Sequence, residues 1–291
     1  QRRWLPGLLD GSEVWCQLFS EPGAGSDLAS LSTTAVRDGD EWVVTGQKIW
    51  TSLARQARYG ILLARTDPDV ARHQGISYFV LDMHSGGIDI RPIRQMDGGA
   101  TFNEVFLDEV RIPAGNLVGA EGDGWRLARV TLGNERVALS EEGALWGRGP
   151  TVSALIKAVQ AAGRVPLEPV FRQRLAALYA EAEILRILRL RTVAAMISRK
   201  DGGAAGGDPG PEASVRKALA DRHGQKLYDL AIDLCGPAGT LTMQNPPHLP
   251  GPFPWIFGFL FSPALTIGGG TAEVQRNIIA ERVLGLPRDP G

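Results

Sequence analysis

Cysteine is nearly missing from this chain: 291 residues hold two, Cys16 and Cys235. They lie far apart and neither is half of a Cys-x-x-Cys pair. That excludes a disulfide framework and a thiolate zinc site, and it leaves two buried thiols in a reducing cytoplasm as the expectation. Histidine is almost as scarce. His73, His84, His223 and His248 show no metal-ligand spacing, so no metal is assigned. No apolar run is long enough to span a bilayer, and the opening Gln-Arg-Arg-Trp-Leu-Pro lacks the apolar stretch of a secretory signal. An excess of charge is lacking too. With 31 basic and 32 acidic residues the net charge is -1, which removes any electrostatic reason to expect nucleic acid or an anionic membrane as partner. There is no internal repeat.

What is present is the composition of an ordinary globular protein, 44% apolar and 22% charged. The length favours two structural units over one. From about residue 13 to 117 short β-branched and aromatic runs alternate with turn residues, the pattern of an antiparallel β unit. Ser32 to Val36 and Glu41 to Thr45 flank the turn Arg37-Asp38-Gly39-Asp40. Further strands are expected at Tyr59 to Arg65, Ile76 to Asp82, Ile88 to Ile93 and Thr101 to Val110.

After Pro113 the period changes, and Gly124 to Trp146, Pro169 to Arg199, Pro211 to Leu234 and Thr271 to Leu284 read as helices. The expected division is therefore a β domain over 1–117, with a short remnant of a preceding region at 1–12, and a helical bundle over 118–291. Phe171, Leu175, Leu178, Ala182, Leu185, Thr192 and Met196 form a stripe at helical spacing, suited to a bundle core. The stretches Asp201 to Gly210 and Asn245 to Pro254 carry too much Gly or Pro to be regular. The second leads into Trp255, Phe257, Phe259 and Phe261, and should pack against something.

Three segments carry chemistry. Ser20-Glu21-Pro22-Gly23-Ala24-Gly25-Ser26-Asp27 follows the apolar run Val14 to Phe19, so a strand opens into a tight loop able to seat an anion or the polar edge of a ring. Gln47-Lys48-Ile49-Trp50-Thr51-Ser52 ends a strand with an aromatic slab beside hydroxyls. Ile267-Gly268-Gly269-Gly270-Thr271-Ala272-Glu273-Val274-Gln275-Arg276 opens the last helix; by itself, a glycine run there is an ordinary cap or anion nest.

These segments resemble the flavin-binding signatures of the acyl-CoA dehydrogenase family, and the match runs over nearly the whole chain. The resemblance implies segregated α+β domains: an antiparallel β-barrel-like middle domain, then an α-helical bundle, with the family's N-terminal helical domain missing. It also implies FAD. Phe19 and Ser20 would offer donors to the pyrimidine edge, Trp50 would lie against the ring, and Ser52 would bond near N5. Thr271 and Glu273 of the last motif would add to the cofactor site. Gly25 and Ser26 would line the entry of the CoA thioester, and Arg136 would be a further substrate-binding residue. Asp233-Leu234-Cys235-Gly236-Pro237-Ala238-Gly239 is similar to the family's adenosine loop, with Gly236 and Gly239 retained and an acidic residue in the lead. The family's Arg-x-x-Phe-Gly segment has no counterpart in Val165 to Arg174, which offers only Arg172 and Arg174.

In many members the glycine turn carries a glutamate that takes the substrate's α-proton. Here Gly269 stands in its place, so only a backbone amide remains there to polarise the thioester carbonyl. Other members place the base on an earlier helix beside an arginine, and this chain has Asn134-Glu135-Arg136 at that position. Thr131, Leu132, Ala138 and Leu139 flank Glu135 at offsets of three and four, a largely apolar surrounding in which desolvation favours a general base. The missing carboxylate at 269 and the one present at 135 together favour this role over a salt bridge to a nearby arginine. Glu141 and Glu142 are the fallback positions.

The implied reaction is α,β-dehydrogenation of an acyl-CoA, with an electron-transfer flavoprotein as acceptor and a dimer or tetramer, homomeric or heteromeric, as the assembly. Two rivals share the fold: a non-catalytic partner subunit of a heteromeric enzyme, and an oxidase. The acyl group is expected to be branched, long or bulky.

Overall fold

The computed structural model describes residues 2–139, 144–163, 167–201, 210–240, 244–246, 248–250 and 254–288, with the backbone alone at 136–139, 196, 198–201 and 240. It falls into two compact units, Gln1–Arg129 and Val130–Gly291. The β structure ends at Pro113 and the first long helix begins at Gly124, on either side of the expected boundary at 117/118. The units part later, inside that helix, because its first turn belongs to the sheet. A Cβ at Gly124 would meet backbone atoms of Ile76 and Ser77 at 2.6–2.8 Å, and the Gly122 N–H donates to Ser77 Oγ at 3.0 Å.

The first unit opens with a short helix, α1 (Leu5–Leu9), and is built on seven strands: β1 (Trp15–Leu18), β2 (Thr34–Asp38), β3 (Glu41–Ser52), β4 (Tyr59–Arg65), β5 (Ile76–Asp82), β6 (Ile88–Pro92) and β7 (Phe102–Pro113). The sheet order is β1-β4-β2-β3-β7-β6, with β5 also on β4. The expected antiparallel pairing holds for β2 with β3, β3 with β7, β4 with β5 and β6 with β7. β1 instead runs parallel to β4, from Trp15 against Tyr59 to Leu18 against Leu62. β4 pairs with β1, β2 and β5, and both β4 and β5 are buried at nearly every position, so their sequences are apolar runs without alternation. Leu18, Val44, Leu62, Phe79, Val105 and Val110, each with no accessible surface, meet in the core beneath them.

The second unit takes in most of α2 (Gly124–Leu139), then α3 (Val152–Ala161), α4 (Pro169–Asp201), α5 (Glu212–Cys235), α6 (Trp255–Phe261) and α7 (Ala272–Ile278), the last continuing as a π-turn over Ile279–Val283. α5 is its axis. Leu227, Tyr228, Leu230 and Ala231 are fully buried in a core that also takes Leu155 of α3, Leu178 of α4 and Trp255 of α6. Most of the expected core stripe of α4 holds: Phe171, Leu175 and Ala182 pack on this core beside Leu178, and Thr192 is buried, while Leu185 is half-buried. Met196 lies outside the residues described at side-chain level. α4 also exposes a second row, Ile184, Ile187, Leu190, Val193 and Ile197, each with at least 42% of its surface free. Among the described residues no helix is long and apolar enough to cross a membrane.

Candidate functional site

In the first unit the site begins where β1 ends. Glu21 and Ala24 exchange backbone hydrogen bonds of 3.0 Å, closing the loop on itself, and the Ile49 N–H donates to the Ser20 carbonyl at 2.9 Å, tying it to β3. Gly25 and Ser26 sit on the exposed side of this loop, and nothing lies within 4 Å of a Cβ built on Gly25. Phe19 is buried, its ring edge-on to Tyr78, so what this residue can offer a ligand is its backbone rather than its side chain.

A bulge decides what β3 presents. In the stretch up to Lys48 the even positions Trp42, Val44 and Lys48 point inward, and strict alternation would bury Trp50 and Ser52 as well. The register with β7 slips between Lys48 and Thr51, placing Ile49 and Trp50 opposite the single residue Glu104. Thr51 turns inward as a result, while Trp50 is 57% exposed and Ser52 is exposed beside it. Trp50 holds a left-handed backbone, φ 61°, which a non-glycine residue adopts only under constraint. The constraint is visible. Asn103 Nδ2 donates to the Thr51 carbonyl at 2.9 Å, and the Trp50 ring stands edge-on to Phe102 at 6.0 Å. An indole slab and a hydroxyl held outward beside a glycine-bearing loop fit the flat ring of a flavin. Those are the side chains that would hold it.

Nothing local in the sequence marks the buried charges beneath this loop, Lys48 and Glu21. Lys48 has no accessible surface. Its Nζ donates to Glu21 Oε1 at 2.8 Å and to the Phe19 carbonyl at 3.1 Å. The Glu21 carboxylate also accepts from the Ser32 N–H, the Ser32 hydroxyl and the Thr33 N–H at 2.7, 2.7 and 2.9 Å. Burial alone would raise the Glu21 carboxyl, but the Lys48 ammonium and these hydrogen bonds outweigh it and hold it at about 2. The pair clamps the loop onto the strand that carries Trp50.

In the second unit the glycine turn follows a 3-10 segment, Ser262–Thr266, that α5 holds in place. Lys217, fully buried, donates to Asp221 at 2.7 Å and to the Leu265 carbonyl at 3.3 Å, and Gln225 donates to the Ser262 carbonyl at 3.2 Å. Burial pushes the Asp221 carboxyl up to about 6 despite the nearby ammonium. Gly269 and Gly270 have φ of 63° and 87°. Thr271 caps α7, its hydroxyl accepting from the Val274 N–H at 3.3 Å, and Glu273 is exposed with Arg276 at 3.4 Å.

Glu135 lies half-buried on α2, between exposed Asn134 and the turn of half-buried Thr131 and Leu132. Arg136, Ala138 and Leu139 are described by backbone only, and Glu141 and Glu142 lie outside the described residues. Gly236 and Gly239 occupy the 3-10 turn Gly236–Thr240 that ends α5, with Gly236 at φ 62°. Gln225, which donates to the Thr266 hydroxyl three residues before Gly269, lies eleven residues before Gly236 along α5, roughly 16 Å at 1.5 Å per residue, so the two turns meet α5 at different points. Beside it Asp233 pairs with Arg174 at 2.6 Å. The structure therefore brings Phe19, Ser20, Gly25, Ser26, Trp50 and Ser52 together in one unit, and Gly269, Thr271 and Glu273 in the other. Gly236 and Gly239 stand apart.

Known proteins carry the same two-part organisation. Residues 16–110 match the acyl-CoA dehydrogenase middle domain, and residues 122–284 match the acyl-CoA dehydrogenase C-terminal domain. The acyl-CoA dehydrogenase FadE34 of Mycobacterium tuberculosis is 43% identical over 288 residues, covering 98% of this chain and 37% of that protein. The acyl-CoA dehydrogenase IpdE1 of the same organism is 43% identical, covering 99% of this chain and 71% of that protein. The chain thus spans little more than a third of the first relative's length. Among solved structures, the Tcur3481-Tcur3483 steroid ACAD superposes with a TM-score of 0.85 at 33% identity, covering 99% of this chain and 72% of that one.

Proposed function

The chain belongs to the acyl-CoA dehydrogenase family, and on that premise we propose that it serves FAD-dependent α,β-dehydrogenation of an acyl-CoA thioester. The observation that carries this reading is the bulge that turns Trp50 and Ser52 outward beside the Ser20 loop. Bound FAD would supply the hydride acceptor for the substrate's β-hydrogen. The backbone of Phe19, the hydroxyls of Ser20 and Ser52 and the face of Trp50 would hold its ring; by the family resemblance Thr271 and Glu273 are proposed as further cofactor positions. Donors aimed at an electron-accepting edge stabilise the charge that gathers there. Gly236 and Gly239, at the end of α5, are proposed to meet the cofactor of a second chain.

For the substrate, the Gly269 amide would bind the thioester oxygen and so acidify the α-carbon, and Glu135 would take the α-proton. Gly25, Ser26 and Arg136 would handle the CoA portion. The acyl group is proposed to be bulky. A turn of three glycines puts no side chain where the acyl chain begins, and a similar protein of known structure is a steroid enzyme.

The second apolar row of α4 supports assembly with another chain of the same fold, because a monomer rarely leaves so continuous an apolar strip in water. An electron-transfer flavoprotein is the proposed acceptor. A second reading, a non-catalytic partner subunit, draws support from the absent carboxylate at Gly269. Anaerobic titration of the FAD-loaded protein with acyl-CoAs of graded size tests the choice. Bleaching of the flavin by a bulky acyl-CoA is expected; a full-length protein that binds no FAD would move the assignment to the partner-subunit reading.

A further inference from the structure

We infer that Gln275 is a positioning residue for the thioester, fixing the triple-glycine turn from beneath; this rests on the reading of Gly269 just given. Three consecutive glycines are the most mobile backbone a chain can contain, since each loses more freedom on ordering than any other residue. A hydrogen-bond donor at Gly269 is useful to a reacting carbonyl only if it is held still. Something outside the turn must therefore hold it.

On the N-terminal side the 3-10 segment supplies the hold. The Ile267 and Gly268 N–H groups donate to the Ala264 carbonyl at 3.0 and 2.9 Å, and Lys217 grips the neighbouring Leu265 carbonyl. On the C-terminal side it is Gln275. This side chain has no accessible surface, and its Nε2 donates to the Gly270 carbonyl at 3.1 Å and more weakly to the Gly269 carbonyl at 3.4 Å. Its backbone N–H is anchored on the Thr271 carbonyl at 2.9 Å, so the amide is carried on the first turn of α7. A Cβ on Gly270 would lie 2.6 Å from Nε2, so the glycine there is what allows the approach.

The peptide plane that presents the Gly269 amide is thereby bracketed. The segment before it is fixed by Ala264 and Lys217, and the two planes after it are fixed by one buried amide. Gln275 Oε1 is buried and has no partner among the described residues, so the side chain is oriented by its donor end alone. Removing that donor frees the turn without touching any group proposed to meet FAD or substrate.

The test uses the FAD-loaded protein with Gln275→Glu and Gln275→Met, the first keeping the shape and the second only the length. In both, FAD content and KM for acyl-CoA are expected to stay near wild type while kcat falls by about tenfold to a hundredfold, the cost of a small misplacement at a reacting centre. The discriminating measurement is the infrared band of a ¹³C-labelled thioester carbonyl. It should shift to lower frequency on binding wild type and shift less on binding either variant. An unchanged shift and kcat in both variants would overturn the inference alone, and so would loss of FAD in both, which would make the role structural. Failure of wild type to bleach with any acyl-CoA would overturn the reading and the inference together.

Discussion

Lys48 and Glu21 form an ion pair of 2.8 Å whose side chains have 0% and 4% of their surface exposed, twenty-seven residues apart in sequence, with Lys48 immediately before the bulge that exposes Trp50. Taking two charges out of water is costly, and such a pair persists where other hydrogen bonds complete it. Here they do. The carboxylate satisfies two backbone N–H groups and a hydroxyl at the start of β2, and the ammonium satisfies a backbone carbonyl at the end of β1. One buried pair thus ties together three segments around the proposed ring site.

Lys48→Met should therefore destabilise the protein by about 3–5 kcal/mol, because it leaves the Glu21 carboxylate buried without its counter-charge. Adding Glu21→Gln removes that charge while keeping one acceptor oxygen, enough for the Ser32 or the Thr33 N–H but not both, and should recover part of the loss. Urea unfolding of both proteins checks this; a double variant no more stable than Lys48→Met would show that the charge was not the cause.

The pair also sets a pH dependence. Its two partners pull in opposite senses: attraction outweighs burial for Glu21, whereas burial outweighs attraction for Lys48 and brings it down to about 8. Below neutrality Lys48 stays protonated, so Glu21 decides. Its carboxyl lies at about 2 against an ordinary 4.5, so its contribution is present above pH 4.5 and is lost as pH falls toward 2. Asp221, raised to about 6, titrates with the opposite sign, its contribution fading as pH rises through that value. The stability difference between wild type and Glu21→Gln cancels Asp221, and it should shrink steadily on acidification below pH 4.5.

What could be read from sequence follows from what is local. β4 and β5 have the expected bounds, because each is a β-branched or aromatic run closed by turn residues. β3 joins the expected run Glu41 to Thr45 and the expected strand end Gln47 to Ser52 into one strand, Glu41–Ser52. The outward turn of Trp50 depends on register with β7, some fifty residues later, and no local pattern carries it. Lys48 reads as a solvated charge until Glu21 is placed beside it. α6, Trp-Ile-Phe-Gly-Phe-Leu-Phe, is apolar all round and has no period to betray a helix, although its packing was expected. α3 was not expected at all. The three motifs were legible because each is a contiguous segment, and the clamps beneath them were not because each joins distant ones.

Trp50 should show a conflict between stability and binding. Its left-handed backbone costs about 1–3 kcal/mol in a non-glycine residue, and its exposed ring returns only an edge contact with Phe102 in the absence of a ligand. Trp50→Gly is expected to leave the apoprotein as stable as wild type or more so, while weakening FAD by at least about tenfold, or 1.4 kcal/mol. Apoprotein melting and flavin fluorescence on titration with FAD check the two halves separately. Wild-type FAD affinity would remove Trp50 from the ring site.

Tyr228 is fully buried on α5, its hydroxyl has no partner among the described residues, and burial pushes that hydroxyl up in pKa. A buried hydroxyl without a partner costs about 1–3 kcal/mol, so Tyr228→Phe should raise the melting temperature. The ring itself is needed. Gly258 of α6 packs so closely on it that an added Cβ would lie 1.9 Å from a ring carbon, and Gly258→Ala should therefore lower stability by about 1–3 kcal/mol through overpacking. If Tyr228→Phe is the destabilising change of the two, a solvent molecule satisfies the hydroxyl.

Glu135→Gln separates chemistry from binding. The substitution keeps the side-chain shape on α2 and removes the ability to accept the α-proton, while the groups proposed to hold the cofactor, Phe19, Ser20, Trp50 and Ser52, lie on other elements. FAD content should be unchanged, and acyl-CoA should still bind, because the Gly269 amide is untouched. Loss of a positioned base costs about a hundredfold to ten-thousandfold, so bleaching by acyl-CoA in the stopped-flow should slow by at least that lower figure. Wild-type bleaching in this variant would move the proton acceptor away from Glu135 and make Glu141 or Glu142 the next positions to substitute.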